Sequence, residues 1–250
     1  MHPFSTIAII VAAGKGLRMN HPVPKQYMML HHQPVLVHTL TPFYMSYCID
    51  QIILVGPQND ESYCHRHIIS PLQSSLTHQR EKPIHYVTGG ETRQESVYNG
   101  LTYISQLKQI DLDHTLVAIH DGVRPFISQK QIDYCISAAT HKESAILAIQ
   151  AYDTVKQVDQ AKGMIVQTMN REIIWLAQTP QVFKYQIIWK AHTHAITNQI
   201  NATDDAMLVE LTNQPVHIIP GSRLNIKLTS QEDFRFAKCI IQDTLGCNPI

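Results

Sequence analysis

The stretch Ala12-Ala13-Gly14-Lys15-Gly16-Leu17-Arg18-Met19 governs how the rest of this sequence is interpreted. It follows an apolar run over 7–11, rich in β-branched residues, which predicts a buried strand. A ligand can approach the main chain closely at its small residues, Ala12, Ala13, Gly14 and Gly16. Many α/β proteins use a strand followed by such a turn to present backbone N–H groups to a phosphate. The stretch therefore predicts a phosphate-binding loop.

Three cations surround this loop: Lys15, Arg18 and, within Pro24-Lys25-Gln26, Lys25. Small residues for close approach and cations for charge indicate a triphosphate rather than a neutral ligand. A dinucleotide motif does not fit, because its third glycine falls on Met19. A P-loop does not fit either, since the sequence contains no Gly-x-x-x-x-Gly-Lys followed by Ser or Thr. The alternative is an ordinary strand-to-turn junction with solvated cations.

Apolar runs and helical patterns alternate along the first part of the chain. The runs predict strands over 7–11, 51–55, 84–87, 115–119 and 144–149, and the helical patterns predict helices over 34–48, with a kink or break at Pro42, 91–107 and 129–141. This alternation predicts an α/β fold with a doubly wound parallel sheet and right-handed crossovers. Ligands bind at the carboxyl ends of such strands. Gly14, Gly90 and Asp121 each follow a predicted strand, so one crevice can collect them.

The alternation fails over 151–171. Two β-leaning segments, 154–158 and 164–168, flank a polar turn and predict a hairpin inserted into the α/β fold. Beyond it the patterns predict helices over 185–197 and 204–212, strands over 216–219 and 223–228, and a last helix over 230–244 with Thr229 and Glu232 at capping-box spacing. No linker is evident, so we expect a single domain over 1–250 with 151–171 as a protruding β-arm.

Composition limits the function further. The 250 residues include 20 basic and 20 acidic side chains, a balance that argues against a large nucleic-acid or anionic-membrane surface. The five cysteines form no Cys-x-x-Cys pair, which favours reduced thiols in a cytosol. The apolar stretch over 7–13 is too short for a membrane span. We therefore expect a cytoplasmic protein with no nucleic-acid and no membrane partner.

Histidines are numerous, fifteen in all, and they raise the question of a metal site. Cys64, His65 and His67 lie close together in the sequence, as do His192 and His194. Neither group has the second half that zinc spacing requires. We interpret them as surface or core histidines.

Several further motifs occur in order after the opening loop and Pro24-Lys25-Gln26. They are Gly89-Gly90-Glu91-Thr92-Arg93-Gln94-Glu95-Ser96-Val97, His120-Asp121-Gly122-Val123-Arg124-Pro125, Asp153-Thr154-Val155-Lys156, Gln178-Thr179-Pro180-Gln181 and Asn225-Ile226-Lys227. Together they resemble the signature of sugar-phosphate nucleotidyltransferases, and among these the 2-C-methyl-D-erythritol 4-phosphate cytidylyltransferases of the non-mevalonate isoprenoid pathway. The resemblance covers nearly the whole chain.

The resemblance implies a Rossmann-like nucleotidyltransferase fold, with a mostly parallel sheet, and a specific reaction. The cytidylyl group of CTP would pass to 2-C-methyl-D-erythritol 4-phosphate, releasing pyrophosphate and forming 4-diphosphocytidyl-2-C-methyl-D-erythritol. Arg18 and Lys25 match positions that grip the triphosphate and stabilise charge at the α-phosphorus, and Lys227 resembles another phosphate ligand at the reacting centre. These three are the expected catalytic residues.

The remaining candidates bind the nucleotide, the acceptor or a metal. The nucleotide-binding set comprises the residues of the opening loop and a segment that resembles the cytosine-reading one: Ala12, Ala13, Gly14, Gly16, Gly89, Gly90 and Ser96. Asp121 can hold Mg²⁺ or an acceptor hydroxyl, and Arg124 can pair with Asp121 or reach a phosphate. In the resembling enzymes the arm crosses to the second subunit of a homodimer, where positions matching Thr154 and Arg171 hold the acceptor's phosphate.

Two other functions stay open at this stage. A cytidylyltransferase for ribitol 5-phosphate or a similar polyol phosphate would share the nucleotide half and differ in the acceptor pocket. A non-catalytic nucleotide-binding regulator would use the same fold, although it has no need of the whole charged set. Thr203-Asp204-Asp205 is expected to cap a helix, though in the resembling enzymes this turn borders the active site.

Overall fold

A computed structural model describes residues 4–14, 23–77 and 80–246, with side chains through 243. The strands, in chain order, are β1 (Ser5–Val11), β2 (Met29–Leu30), β3 (Gln33–Pro34), β4 (Gln51–Gly56), β5 (Ile84–Thr88), β6 (Thr115–Asp121), β7 (Ser144–Gln150), β8 (Lys156–Asp159), β9 (Met164–Thr168), β10 (Trp175–Lys184) and β11 (His217–Pro220). The α-helices are α1 (Val35–Met45), α2 (Glu61–Cys64), α3 (Ser70–Ser75), α4 (Arg93–Ser105), α5 (Gln129–Lys142), α6 (Tyr185–Thr197), α7 (Asp205–Glu210) and α8 (Gln231–Gly246).

The central sheet of the described chain has seven strands in the order β11-β7-β10-β6-β1-β4-β5. β1 pairs in parallel with both β4 and β6, β4 with β5, and β7 with β11. β10 is the exception, since it runs antiparallel between β6 and β7. The predicted doubly wound, mostly parallel sheet is therefore confirmed.

Helices cover both faces of this sheet, as the alternation of side chains along β1 requires. Ala8 and Ile10 pack with α1 and α5 on one face, while Ile7 and Ile9 pack with α4 and α6 on the other. All four side chains are fully buried. Each buried isoleucine contributes about 1.5–3 kcal/mol, so β1 is a rigid support for the loop that follows it.

β10 was missing from the sequence-based prediction. Its inner residues are buried, but Pro180 interrupts the apolar pattern, and a proline within a run argues against a strand. The structure accommodates it by a register shift between Ala177 and Gln181 in the pairing with β7. The strand therefore includes Thr179 and Pro180, and brings them beside the end of β6.

The strand predicted over 223–228 is wrong. The segment has no ladder and is tied to its surroundings by single contacts instead. The Leu228 amide donates to the Val123 carbonyl at 2.9 Å, and the Asn225 side chain donates to the Thr179 carbonyl at 2.8 Å. These scattered anchors explain why an apolar alternation here does not become a strand.

Two helix details also differ from expectation. α1 continues past Pro42 to Met45, so the proline does not break it; a proline removes only one backbone donor. The capping box of α8 uses Ser230 and Asp233 rather than Thr229 and Glu232. The Ser230 amide donates to Asp233 Oδ2 at 2.8 Å, and the Asp233 amide donates to Ser230 Oγ at 3.2 Å.

The segment over 151–171 contains the predicted hairpin. β8 and β9 pair antiparallel, and in the described chain they form a small sheet separate from the central one. Val158, Ile165 and Val166 are exposed there, two of them by about three fifths of their surface. The hairpin therefore presents an apolar surface that its own chain leaves uncovered.

Candidate active site

The loop after β1 begins where the sequence predicted. Ala12 is buried, and its amide donates to the Val55 carbonyl at 2.7 Å, which fixes the start of the loop on the neighbouring strand β4. Ala13 is half-buried and Gly14 is exposed. Lys15, Gly16 and Arg18 lie outside the described residues, so their predicted roles stay predictions.

The turn after β5 packs directly against this loop. A Cβ on Gly89 would lie 2.3 Å from the Ala13 Cβ, so glycine is what lets the two turns touch. The Gly90 amide donates to Ser96 Oγ at 3.1 Å, and the Ser96 hydroxyl donates to the Thr92 carbonyl at 2.9 Å. The Ser96 hydroxyl proton is thus engaged, which leaves its oxygen with one further acceptor position.

Asp121, the last residue of β6, is the centre of a charged cluster. Its Oδ1 accepts from Arg93 Nε at 2.9 Å, and its Oδ2 lies 2.9 Å from Lys227 Nζ and 3.3 Å from Arg124 Nε. Burial alone would raise the pKa of Asp121, but attraction to Arg93, Lys227 and Arg124 outweighs it and holds this pKa well below its usual range. Asp121 is therefore ionised at neutral pH.

Arg93, near the start of α4, joins two buried carboxylates. Its Nη1 donates to Asp205 Oδ2 at 2.7 Å, while its Nε holds Asp121. Asp205 in turn contacts His192 Nε2 at 3.1 Å. Burial would lower the pKa of Arg93, but the two aspartates raise it above its usual value, so the guanidinium stays charged. This bridge fixes the end of β6 against α7.

Lys227 reaches Asp121 from a loop rather than from the expected strand. Arg124 Nη1 donates to the Asn225 carbonyl at 2.7 Å, and the Asn225 side chain is completely buried. These contacts hold the loop close to the carboxyl end of β6. The expected pairing of Arg124 with Asp121 is also present.

Two adjoining cavities lie at the carboxyl ends of β1, β5 and β6, where the sheet pattern predicted a crevice. The first, of about 200 Å³, is lined by Val11, Ala12, Ala13, Gly14, Lys25, Gln26, Gly90, Glu91, Thr92, Arg93, Ser96, Asp121, Val123 and Lys227. The second, of about 220 Å³, is lined by Arg93, Asp121, Arg124, Ala177, Gln178, Thr179, Gln181, Thr203, Asp204 and Lys227. Arg93, Asp121 and Lys227 belong to both.

Most of the predicted site residues that the structure describes therefore line one or both of these cavities. Gly89 stands behind the first cavity, in contact with Ala13. Neither Thr154 nor Arg171 lines either cavity of the described chain. Arg171 instead donates from Nη1 to the Tyr152 carbonyl at 2.6 Å, on the exposed arm.

A larger cavity, of about 730 Å³, lies elsewhere. It is near the amino-terminal end of β1 and is lined by side chains that include Phe4, Asp50, Arg80 and His114. It contains none of the candidate residues. Size alone therefore does not make it the active site.

Known proteins are similar to this sequence over almost its whole length. The family described as IspD, 2-C-methyl-D-erythritol 4-phosphate cytidylyltransferase, matches residues 6–243. The chain belongs to this family. A 2-C-methyl-D-erythritol 4-phosphate cytidylyltransferase of Syntrophus aciditrophicus is 42% identical over 96% of this chain and 97% of its own length. One of Geotalea uraniireducens is 40% identical over 94% and 96%.

Solved structures of the IspD family have the same fold. The 4-diphosphocytidyl-2C-methyl-D-erythritol synthase of Anaerococcus prevotii superposes with a TM-score of 0.79 at 33% identity, over 96% of this chain and 97% of that one. The Francisella tularensis 2-C-methyl-D-erythritol 4-phosphate cytidylyltransferase gives a TM-score of 0.73 at 31% identity, over 94% and 99%.

Within the described part of this IspD-family chain, no group of three or more His, Cys, Asp or Glu side chains is arranged to hold a metal ion. No helix there is long and apolar enough to cross a membrane.

Sequence reasoning missed two features of the site. It assigned Arg93 no direct contact, whereas the side chain bridges Asp121 and Asp205. It also overlooked the Thr92–Glu95 capping box that begins α4. The spacing of Thr92 and Glu95 was a readable signal, since Ser or Thr followed three residues later by Glu marks a helix start. The partners of Arg93 are far apart in sequence and had no such signal. Asp204 caps α7 as expected.

Proposed function

We propose that this chain transfers the cytidylyl group of CTP to 2-C-methyl-D-erythritol 4-phosphate and releases pyrophosphate. The observation that carries the proposal is the convergence of two backbone turns and the Asp121 cluster around one cavity in an IspD-family chain. An oxygen of the acceptor's phosphate attacks the α-phosphorus, and the bond from the α-phosphorus to the bridging oxygen of pyrophosphate breaks. Catalysis then consists of positioning anions and neutralising their charge.

The nucleotide is proposed to bind in the first cavity, with its base at the turn formed by Gly89, Gly90 and Ser96. The backbone of this turn and the free acceptor position of Ser96 suit the exocyclic amino group of cytosine, which is a donor. Uracil has an acceptor at the same place. We expect a pocket between this turn and the opening loop to fit a pyrimidine and to crowd a purine.

The phosphates are proposed to lie between the opening loop and the cations. Lys25 and Lys227 both line the first cavity, and Arg18 would complete the set. Removing one preorganised cation of this kind typically costs about 3–4 kcal/mol in the transition state, by analogy with oxyanion holes. The acceptor would occupy the second cavity, which shares Lys227 and Asp121 with the first.

Mg²⁺ is the proposed metal. Asp121 lines both cavities, and a single carboxylate together with phosphate oxygens is a common way for a protein to hold this ion. Asp121 Oδ2 lies 2.9 Å from Lys227 Nζ, and this ammonium group would turn toward a phosphate when Asp121 holds the ion. The ion would help neutralise the charge of the triphosphate and the departing pyrophosphate. We expect excess chelator to abolish activity and added Mg²⁺ to restore it; full activity in chelator would contradict the assignment.

The active unit is proposed to be a homodimer in which the arm over 151–171 completes the partner's acceptor site. Support comes from the exposed apolar residues of the hairpin and from the position of Arg171 and Thr154 away from both cavities of their own chain. An isolated two-stranded hairpin is only marginally stable in water, so a partner surface would stabilise it. Arginine suits the proposed role because its planar fork can bind two phosphate oxygens.

The cellular location is proposed to be the cytoplasm. No disulfide joins the cysteines of the described chain, and Cys64 and Cys135 are buried. Reduced thiols are typical of that compartment.

A pyrophosphate-release assay tests the proposal directly. We expect turnover with CTP and 2-C-methyl-D-erythritol 4-phosphate, and much slower turnover with ATP or UTP. Equal rates with ATP would overturn the nucleotide assignment. Ribitol 5-phosphate, the acceptor of the rival cytidylyltransferase, is assayed in parallel; a preference for it would move the acceptor to that class. Binding of CTP with no turnover for any acceptor would favour a regulator.

A further inference from the structure

Gln26 is a buried amide inside the first cavity whose role the proposed function leaves unexplained. The side chain is 1% exposed, and it lines the cavity next to Lys25 and Gly14. Its Nε2 is buried and has no hydrogen-bond partner in the described part of the chain. Buried polar groups in native proteins are nearly always paired, so an unpaired amide in a binding cavity calls for an explanation.

The backbone that carries Gln26 is held in place beside the cavity. Gln26 is the middle residue of a 3₁₀ turn, Lys25–Tyr27, in which the Tyr27 amide donates to the Pro24 carbonyl at 2.9 Å. The Tyr27 hydroxyl donates to Asp60 Oδ2 at 2.9 Å and lies 3.3 Å from Cys64 Sγ. The turn is thus anchored through Tyr27, which fixes where the Gln26 side chain leaves the backbone at the wall of the cavity.

We propose that Gln26 is a further nucleotide-binding residue, whose Nε2 donates a hydrogen bond to an oxygen of the CTP triphosphate. The inference rests on the proposed function. The phosphate region is favoured over the base because Gln26 directly follows Lys25 and shares the cavity with Gly14. Phosphate oxygens are charged acceptors, and hydrogen bonds to them are stronger than those to neutral groups. The unpaired donor would therefore gain a charged acceptor when the nucleotide binds.

The test compares Gln26→Met with a matched control, Thr102→Val. Methionine has nearly the same length and flexibility as glutamine but no donor. Thr102 lies on α4, lines neither cavity, and its Oγ1 is likewise buried without a partner in the described chain. Thr102→Val removes an unpaired polar atom, so it should leave the melting temperature of the protein unchanged or slightly higher. Gln26→Met removes the amide oxygen as well as the unpaired nitrogen, so its melting temperature is measured to show that the variant is folded before binding is compared.

Isothermal titration with CTP and Mg²⁺ separates the two variants. We expect Gln26→Met to bind CTP about 10- to 100-fold more weakly than the wild type, and Thr102→Val to bind it equally well. A second variant, Gln26→Glu, keeps the shape and places a carboxylate against the phosphates, so it should bind more weakly still. The same titrations with inorganic triphosphate should show a comparable loss for Gln26→Met.

Each contrary outcome is distinct. Wild-type CTP binding with an unchanged affinity in Gln26→Met would overturn the inference alone, and would assign the amide to a water or to packing. A loss with CTP but none with inorganic triphosphate would overturn the phosphate assignment. Wild-type protein that binds no CTP would overturn the proposed function itself.

Discussion

The ammonium group of Lys227 lies 2.9 Å from Asp121 Oδ2, and its side chain is the most exposed of the three cations that hold this carboxylate. Lys227 is 36% exposed, whereas Arg93 is 24% and Arg124 is 12% exposed. Asp121 would therefore keep two partners that are less exposed if Lys227 turned toward a substrate phosphate. Under the proposed function, the two arginines fix Asp121 in place, and Lys227 is the cation available to a substrate phosphate.

Replacing Lys227 with glutamine tests this division. We expect kcat to fall about 10²- to 10³-fold, because a preorganised positive charge at the reacting phosphate is lost. The free energy of unfolding should change by less than about 1 kcal/mol, since Asp121 keeps Arg93 and Arg124 and the lost pair is partly exposed. Pyrophosphate release and urea unfolding measure the two effects. A large loss of stability with normal kcat would reverse the assignment.

Replacing Arg93 with glutamine should have the opposite balance. The change leaves Asp205 and Asp121 without their shared guanidinium, and breaking a buried pair on one side typically costs about 3–5 kcal/mol. Arg93→Lys should recover only part of this, because an ammonium group cannot hold both carboxylates in the same geometry. Arg80→Gln is the control: Arg80 is 66% exposed and lies 3.6 Å from Asp50, so its loss should cost less than about 1 kcal/mol. Equal unfolding free energies for both glutamine variants would contradict the bridging role.

Features encoded by residues close together in the sequence could be predicted, whereas features set by distant residues could not. The start of the opening loop at Ala12–Gly14, the strand ends near Gly90 and Asp121, and the hairpin were predictable, because period and turn residues lie within short windows. The antiparallel β10 was not, since Pro180 disrupts its pattern and its place is set by neighbours on both sides. The loop carrying Lys227 was misread as a strand for a related reason: its hydrogen bonds go to Val123 and Thr179, which no local pattern reveals.

His120 predicts how stability responds to acid. This side chain is fully buried beside Asp121, and burial lowers its pKa to about 3, although Asp121 partly opposes the shift. Below its unfolded value of about 6.5, the unfolded chain binds a proton at this histidine while the folded chain does not. The contribution of His120 to the free energy of unfolding is therefore at its highest above pH 6.5. As pH falls from 6.5 toward 3, this contribution decreases by about 1.4 kcal/mol per pH unit.

Urea unfolding between pH 6.5 and 4.5 isolates this group from the carboxylates. Asp121 and Asp205 also have lowered pKa values, so their stabilisation is lost only as pH falls below about 4, the unfolded value, toward the lower folded one. We expect His120→Gln to flatten the slope in the upper window. His141→Gln, at an exposed position near the end of α5, should leave the slope unchanged. An unaltered slope in His120→Gln would mean that the buried imidazole is not the source.

Mixing two inactive variants decides whether the arm serves its own chain or a partner. Lys25→Ala is expected to be inactive through loss of a cation in the nucleotide cavity, and Arg171→Ala through loss of the proposed phosphate contact on the arm. If the arm crosses to a second subunit, a mixed dimer contains one site with both residues intact, and activity should return to at most about a quarter of the wild-type level when equal amounts of the two chains pair at random. Subunit exchange is first verified with differently tagged chains.

The control for nonspecific damage to the base of the arm is Arg223→Ala, tested in place of Arg171→Ala. This change removes a guanidinium that is stacked 3.9 Å from the Tyr152 ring centroid, and the variant should be active alone. Exchange without recovery would mean that each chain builds its acceptor site by itself, and the exposed hairpin would then need another explanation.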